Sequence, residues 1–288
     1  MNEIRRRAHA KLNVFLRVLG RRDDGFHDIE TLILPLELHD DVTVSHAGGL
    51  DVEVRGPRAT DLGGSVGDTL ASAAARALAD ACDAPHAHTA AIAIDKHIPV
   101  AAGLGGGSAD AAAALIALRE LWSCDLDDET LRNLAATLGS DVPALLAGLP
   151  VFCSGRGEVM QAVHAQTTYW VVKPFAFGVR AADAYAWWGD DGGVTGPDPG
   201  ALVAAVESGN DELAGAALSN DLQPPVVRRH PEVGAAIRAF VDAGALGAIM
   251  SGSGPTVVAL ARHLGHADRL ADAIDGSFVT SGPPRTMA

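Results

Sequence analysis

The stretch Gly103-Leu104-Gly105-Gly106-Gly107-Ser108 runs straight into an alanine-rich segment, ADAAAALIAL, that continues to Leu121. Glycines at this density cost backbone entropy, so they are kept where something must approach the main chain closely or where the chain must turn sharply. A helix starting at the end of the loop offers unpaired N–H groups and the positive end of its dipole, which suits an anion. The loop therefore reads as a phosphate cradle, with a glycine-rich connection made only for tight packing as the alternative. Two familiar cradles are excluded by what is missing. A Walker loop needs a lysine before its hydroxyl residue, where this chain has Gly107, and a dinucleotide fingerprint needs a third glycine where Ser108 stands. Composition adds a second pointer: only three of the 22 basic residues are lysines, Lys11, Lys96 and Lys173. A compact ammonium and a planar guanidinium are not interchangeable in a tight polar site, which singles out each of the three.

These groups need elements to hold them. Leu12, Val14, Leu16 and Val18 alternate in the strand manner, Arg22-Asp23-Asp24-Gly25 is a turn, and 32–38 and 42–45 read as two further strands. A helix is expected over 68–82, and AAIAIDKHIPV is a strand leading into the glycine loop. Helices over about 108–122 and 127–138 follow, then the loop Gly139-Ser140-Asp141-Val142-Pro143 and a short helix to Leu146. After Pro150 the texture changes. VFCSGRGEVMQAV and TYWVVKPF read as strands, ADAYAWW as a helix start and DDGGVTGPDPG as a flexible connector. Helices near 199–207, 210–218 and 231–243 precede LGAIMSGSGPTVVALA, a glycine turn between apolar strands, and HADRLADAI is a last helix. Mixed strands and helices without regular alternation predict an α+β protein of two domains, 1–152 and 153–288.

Composition limits the function classes. A net charge of -14 over 288 residues argues against a nucleic-acid backbone or an anionic membrane surface as partner. No apolar run approaches the roughly 18 residues of a membrane span, and Arg5-Arg6-Arg7 leads into AHAKLN instead of a signal core, so a cytoplasmic protein is expected. Cys82, Cys124 and Cys153 are far apart and odd in number, which predicts buried thiols in place of a disulfide or a zinc site. His86-Ala-His88 has no third ligand nearby in sequence and reads as solvated.

The strand around Lys11-Leu12-Asn13, the loop GLGGGSADAA and the turn GSGPT at 252–256 resemble the three signatures of the kinase superfamily that includes galactokinase, homoserine kinase and mevalonate kinase. AKLNVFLRVLGRRDDGFHDIETL, LGSDVP and SNDLQ are similar to the branch acting on a cytidyl-capped methylerythritol in non-mevalonate isoprenoid synthesis. The resemblance implies a two-domain small-molecule kinase fold with its active site in the cleft between domains. It implies ATP with Mg²⁺ as donor, phosphorylation of the 2-hydroxyl of the acceptor, and a monomer or homodimer. Carried onto this sequence, Asp141 accepts the hydroxyl proton beside Lys11. Lys96, Pro99, Gly103, Leu104, Gly105, Gly106, Gly107 and Ser108 hold ATP, with Ser108 a ligand for Mg²⁺ or a phosphate oxygen. Asn13 meets the methylerythritol end, and Phe26, His27 and Tyr185 surround the cytosine. The chain departs from many relatives at Thr69-Leu70, where Asn-Leu is usual, and at Arg180-Ala181, where Ser-Thr is usual. Strand-edge protection by Lys11 and helix capping by Asp141 are the plainer alternatives.

Overall fold

The computed structural model describes residues 3–62, 69–82 and 89–284, so the His86-Ala-His88 pair lies outside the described residues. The first half of the chain contributes β1 (Glu3–Arg21), β2 (His27–Ser45), β3 (Leu50–Arg55), α1 (Leu70–Ala81), β4 (Ala90–Asp95), α2 (Gly106–Leu121), α3 (Asp128–Leu138) and α4 (Val142–Ala147). The second half begins with β5 (Val151–Gly155), β6 (Val159–Ala162), β7 (Thr168–Lys173), α5 (Ala181–Asp190), α6 (Gly200–Glu207), α7 (Asp211–Ala216) and β8 (Ser219–Asn220). It ends with α8 (Gln223–Arg229), α9 (Pro231–Asp242), β9 (Gly247–Met250), β10 (Val257–Ala261), α10 (Leu264–Ala273) and β11 (Phe278–Gly282).

Two compact units result, and they are not the consecutive domains 1–152 and 153–288 expected from the sequence. One comprises residues 1–10, 38–100 and 105–148, the other 11–37, 101–104 and 149–288. The difference arises because β1 and β2 are each 19 residues long and give one half to either unit. The two strands expected at 32–38 and 42–45 are one strand, β2. Asp40 is fully buried and accepts the N–H groups of His97 and Ile98, so the strand continues without a turn.

In the first unit the outer half of β2 pairs antiparallel with β4, Asp41 opposite Asp95, and β4 pairs parallel with β3. Helix α2 packs against α1, α3 and α4. Its alanines at 109, 111–114 and 117 are all buried, because small side chains let neighbouring helices approach. In the second unit the inner half of β2 pairs with β5, β1 pairs parallel with β8, and β11, β7, β10 and β9 form a separate antiparallel sheet in that order. The core of this unit gathers Leu16, Val18, Val171, Leu222, Phe240 and Met250. Complete burial of Phe240 contributes about 1.5–3 kcal/mol.

Two further expectations are corrected. Cys82 and Cys124 form a disulfide, with Cα atoms 5.5 Å apart, whereas Cys153 is buried apart from them. The packing of α1 on α2 brings their C-terminal ends together, a proximity that a sequence separation of 42 conceals. The connector 190–200 is pinned, not flexible. Asp191 pairs with Arg228 and Arg229, Thr195 Oγ1 donates to Val18 O at 2.8 Å, and Gly196 N donates to Asp221 Oδ2 at 3.1 Å.

Candidate active site

The glycine loop resolves into positions with different reasons for lacking a side chain. Gly105 is the N-cap of α2 at φ 73°, in the left-handed region that a side chain makes costly. Gly103 is also at φ 73°, and a Cβ there would stand 2.8 Å from Ser251 O and 3.1 Å from Gly254 O. At Gly106 a Cβ would stand 3.1 Å from Ile98 Cγ2 and 3.3 Å from Lys96 Nζ. These three serve turning and packing. Gly107 differs: it is exposed, and among the described residues the nearest atom to a Cβ there is Leu70 Cδ1 at 3.7 Å.

The start of α2 is open in a second sense. Thr69 Oγ1 caps α1 by accepting Ser72 N, and Asp127 caps α3 by accepting Thr130 N. Helix α2 has no side-chain cap, so its leading N–H groups point onward with nothing from a cap side chain to accept them. Ser108 lies half-buried in the same turn. The departure at Thr69 is thereby explained locally, since its hydroxyl does the capping that an asparagine also does well. Arg180, the other departure, is an exposed residue that makes a bidentate pair with Asp183 at 2.7 Å.

The Lys96 ammonium is held by two carboxylates. Lys96 is 3% exposed, and donates to Asp40 Oδ2 at 2.5 Å and Asp110 Oδ2 at 2.7 Å. Burial works against the Lys96 charge, but the two carboxylates outweigh it and its pKa is raised. Asp110 is pushed up to about 7, chiefly by burial, with Lys96 opposing and the charge of Asp40 adding to the rise. Pro99 and Leu104 are buried as well.

In the second unit the Lys11 backbone N–H donates to Leu104 O at 2.9 Å, and the buried Lys11 ammonium donates to Asn13 Oδ1. Asn13 Nδ2 donates to Thr31 Oγ1 at 2.9 Å and Asn13 N to Ser251 Oγ at 3.1 Å. Asn13 is 4% exposed, and its side chain links Lys11 to Thr31. The turn after β9 closes on this pair. A Cβ at Gly252 would stand 2.9 Å from Asn13 Oδ1 and 3.5 Å from Lys11 Nζ, which requires a glycine. Asn220 Nδ2 holds the turn by donating to Met250 O at 2.7 Å and Gly252 O at 2.8 Å. Asp141, in the first unit, precedes α4 but makes no cap hydrogen bond, so the helix does not account for it.

The aromatic residues expected around the cytosine fall into two places. The rings of His27 and Tyr185 stack with centroids 4.7 Å apart, and Trp188 meets His27 edge-on at 5.9 Å. Phe26 is 48% exposed and carries the Arg156 guanidinium 3.7 Å above its ring.

Two family models match, the GHMP kinases N terminal domain over residues 68–149 and the GHMP kinases C terminal over residues 202–280. The 4-diphosphocytidyl-2-C-methyl-D-erythritol kinase of Kineococcus radiotolerans is 41% identical over 276 residues, covering 92% of this chain and 83% of the relative. The chain belongs to the 4-diphosphocytidyl-2-C-methyl-D-erythritol kinase family. A relative of the same name from Pelotomaculum thermopropionicum is 40% identical, covering 92% of this chain and 91% of the relative. A crystal structure titled 4-(cytidine 5'-diphospho)-2C-methyl-D-erythritol kinase matches with a TM-score of 0.81 and 32% identity, over 98% of this chain and 100% of that one. A homoserine kinase from Cytophaga hutchinsonii, at 20% identity, shares the fold with a TM-score of 0.72 over 98% and 95% of the two chains. In this GHMP kinase fold no helix among the described residues is long and apolar enough to cross a membrane.

Within this kinase family member, three positioning groups escaped the sequence reading. Asp40 and Asp110 looked like ordinary charged residues, and Asn220 stood in a quoted motif with no role. The one available signal was the placement of Asp110 next to the alanine run of α2. The environment of His27 also yields an expected pH dependence. Burial, then the charge of Arg21, lowers its pKa from 6.5, so the neutral ring prevails at about pH 7. The KM of an acceptor that contacts His27 stays level from about pH 8 down to 6.5 and rises only as pH falls through the lowered value. Steady-state kinetics across that range would reject this if the rise began above pH 6.5.

Proposed function

We propose that the chain transfers the γ-phosphoryl group of ATP to the 2-hydroxyl of 4-diphosphocytidyl-2-C-methyl-D-erythritol, giving the 2-phosphate and ADP in non-mevalonate isoprenoid synthesis. The observation that carries the reading is 41% identity over 92% of the chain to a kinase of that name. The uncapped, glycine-opened start of α2 supports the donor half. Its N–H groups donate to the triphosphate oxygens, and Gly107 leaves room for the approach. Mg²⁺ suits the donor set, because it binds mainly through phosphate oxygens with few protein ligands and Ser108 offers one hard hydroxyl oxygen. When bound it neutralises charge on the triphosphate.

The hydroxyl oxygen attacks the γ-phosphorus, the bond to the ADP oxygen breaks, and the hydroxyl proton passes to the carboxylate of Asp141. The Lys11 ammonium, oriented by Asn13, balances charge on the moving phosphoryl group. His27 and Tyr185, with Phe26, receive the cytosine. The test is purified protein with ATP and Mg²⁺ offered the cytidyl acceptor, mevalonate and homoserine, with ADP release as readout. Turnover confined to the cytidyl acceptor is expected, and preference for another alcohol would reject the assignment. Tyr185→Ala is expected to raise the acceptor KM by roughly 5- to 150-fold, the scale of about 1–3 kcal/mol for a base on an aromatic ring. The KM for ATP should stay unchanged. An equal rise in both would show that the tyrosine serves packing.

A further inference from the structure

Helix α2 begins with an uncapped turn, and something other than a cap must therefore fix its height and direction. The described residues show one such device. Lys96, at the end of β4, donates to Asp110, one turn into α2, and to Asp40 on the outer half of β2. Asp40 uses its other oxygen to accept His97 N at 2.5 Å and Ile98 N at 2.8 Å, which folds the chain back after β4. Lys96 Nζ then lies 3.3 Å from where a Gly106 Cβ would be, directly under the first residue of α2. All three side chains are buried: 3% exposure for Lys96, none for Asp40 and 6% for Asp110. Among the described residues Asp110 Oδ1 is buried with no hydrogen-bond partner, so the carboxylate is held there by what its other oxygen does. A buried ion cluster is weak evidence for stability alone, since well-packed apolar groups often serve as well. Its directional bonds are what apolar packing does not supply.

We propose that Lys96, Asp40 and Asp110 form a positioning cluster that fixes the α2 N–H groups for a triphosphate, acting on nucleotide affinity through the loop backbone and never through the base. The proposal rests on reading 103–108 as the ATP site. It makes Lys96 blind to the identity of the nucleoside. In Lys96→Met, apparent affinities for ATP, GTP and inorganic tripolyphosphate fall by one common factor, roughly 10- to 100-fold, the scale on which misplacement of a positioning element is felt. ATP and GTP are followed by their KM, and tripolyphosphate as a competitive inhibitor of ATP turnover. Asp110→Ala behaves likewise, whereas Asp110→Asn, which keeps an oxygen for Lys96, restores most of the affinity.

Because removing one member of a buried pair can unfold a protein, the double variant Lys96→Met/Asp110→Leu is measured alongside. It removes one charge of each sign and leaves Asp40 with its two backbone donors. The double variant melts as a folded protein but still binds all three phosphate compounds weakly. Loss of ATP affinity with tripolyphosphate untouched would overturn the proposal, because Lys96 would then be reading the base. Wild-type affinities in the folded double variant would overturn it too, leaving the cluster a scaffold only. A wild-type enzyme that turned over neither nucleotide would instead reject the ATP reading of the loop, a distinct failure.

Discussion

Asp141→Asn is expected to lower kcat by roughly 10²–10⁴ while the folded protein melts near the wild-type temperature. Asp141, at φ -85° and ψ -17° before α4, makes no side-chain cap bond to that helix, which has a proline in its first turn. Asparagine keeps the shape and removes the capacity to take a proton, so the loss falls on turnover and spares folding. Lys11→Ala is expected to reduce kcat as well, since it removes the ammonium that Asn13 orients. If the two residues serve one proton and phosphoryl transfer, the double variant is much less than multiplicatively worse than either single one. The measurement is kcat with both substrates saturating, paired with thermal melts. Near-normal turnover in Asp141→Asn would remove it from the chemistry.

Gly107→Val carries the second large effect. The fold has room for a side chain there, with only Leu70 Cδ1 among the described residues within 4 Å of a new Cβ, at 3.7 Å. The exposed face of α2's first turn is where phosphate oxygens must reach the main chain, and a branched side chain fills it. ATP binding is expected to weaken by roughly 10²-fold or more, since the reacting group is displaced from its geometry, with little change in melting temperature. Gly106→Val is the contrasting case. Its Cβ would be 3.1 Å from Ile98 Cγ2, so it should melt early whatever ATP does. Calorimetric titration of both variants separates the two causes, and normal ATP affinity in Gly107→Val would show that nothing approaches α2 there.

Much of the site was legible because its parts are local. A glycine run before an alanine helix, a lysine in an apolar strand and a glycine turn between two strands each declare themselves within a dozen residues. What those glycines do individually was not legible. The demands on Gly103 and Gly252 come from Ser251, Gly254, Asn13 and Lys11, brought together only by the fold. Lys96 drew notice for its rarity, but its partners lie 56 and 14 residues away and no local pattern announces them. The disulfide was missed for the same reason, and the interleaved units because alternation reports that a strand exists and not which body each half joins.

That interleaving has a consequence for synthesis on the ribosome. Residues 1–10, 38–100 and 105–148 complete their unit once residue 148 has emerged. The inner halves of β1 and β2 were made earlier, yet their remaining neighbours, β5 and β8, come from the part still to be translated. At roughly 5–20 residues per second, Phe15, Leu16, Val18 and Leu32 wait many seconds for the segments that will cover them. The nascent chain thus carries a finished body together with an apolar ribbon, residues 11–37, whose own unit is still incomplete. Chains arrested near residue 150 should bind chaperones strongly, and release should follow the emergence of β8, not of any single half of the gene.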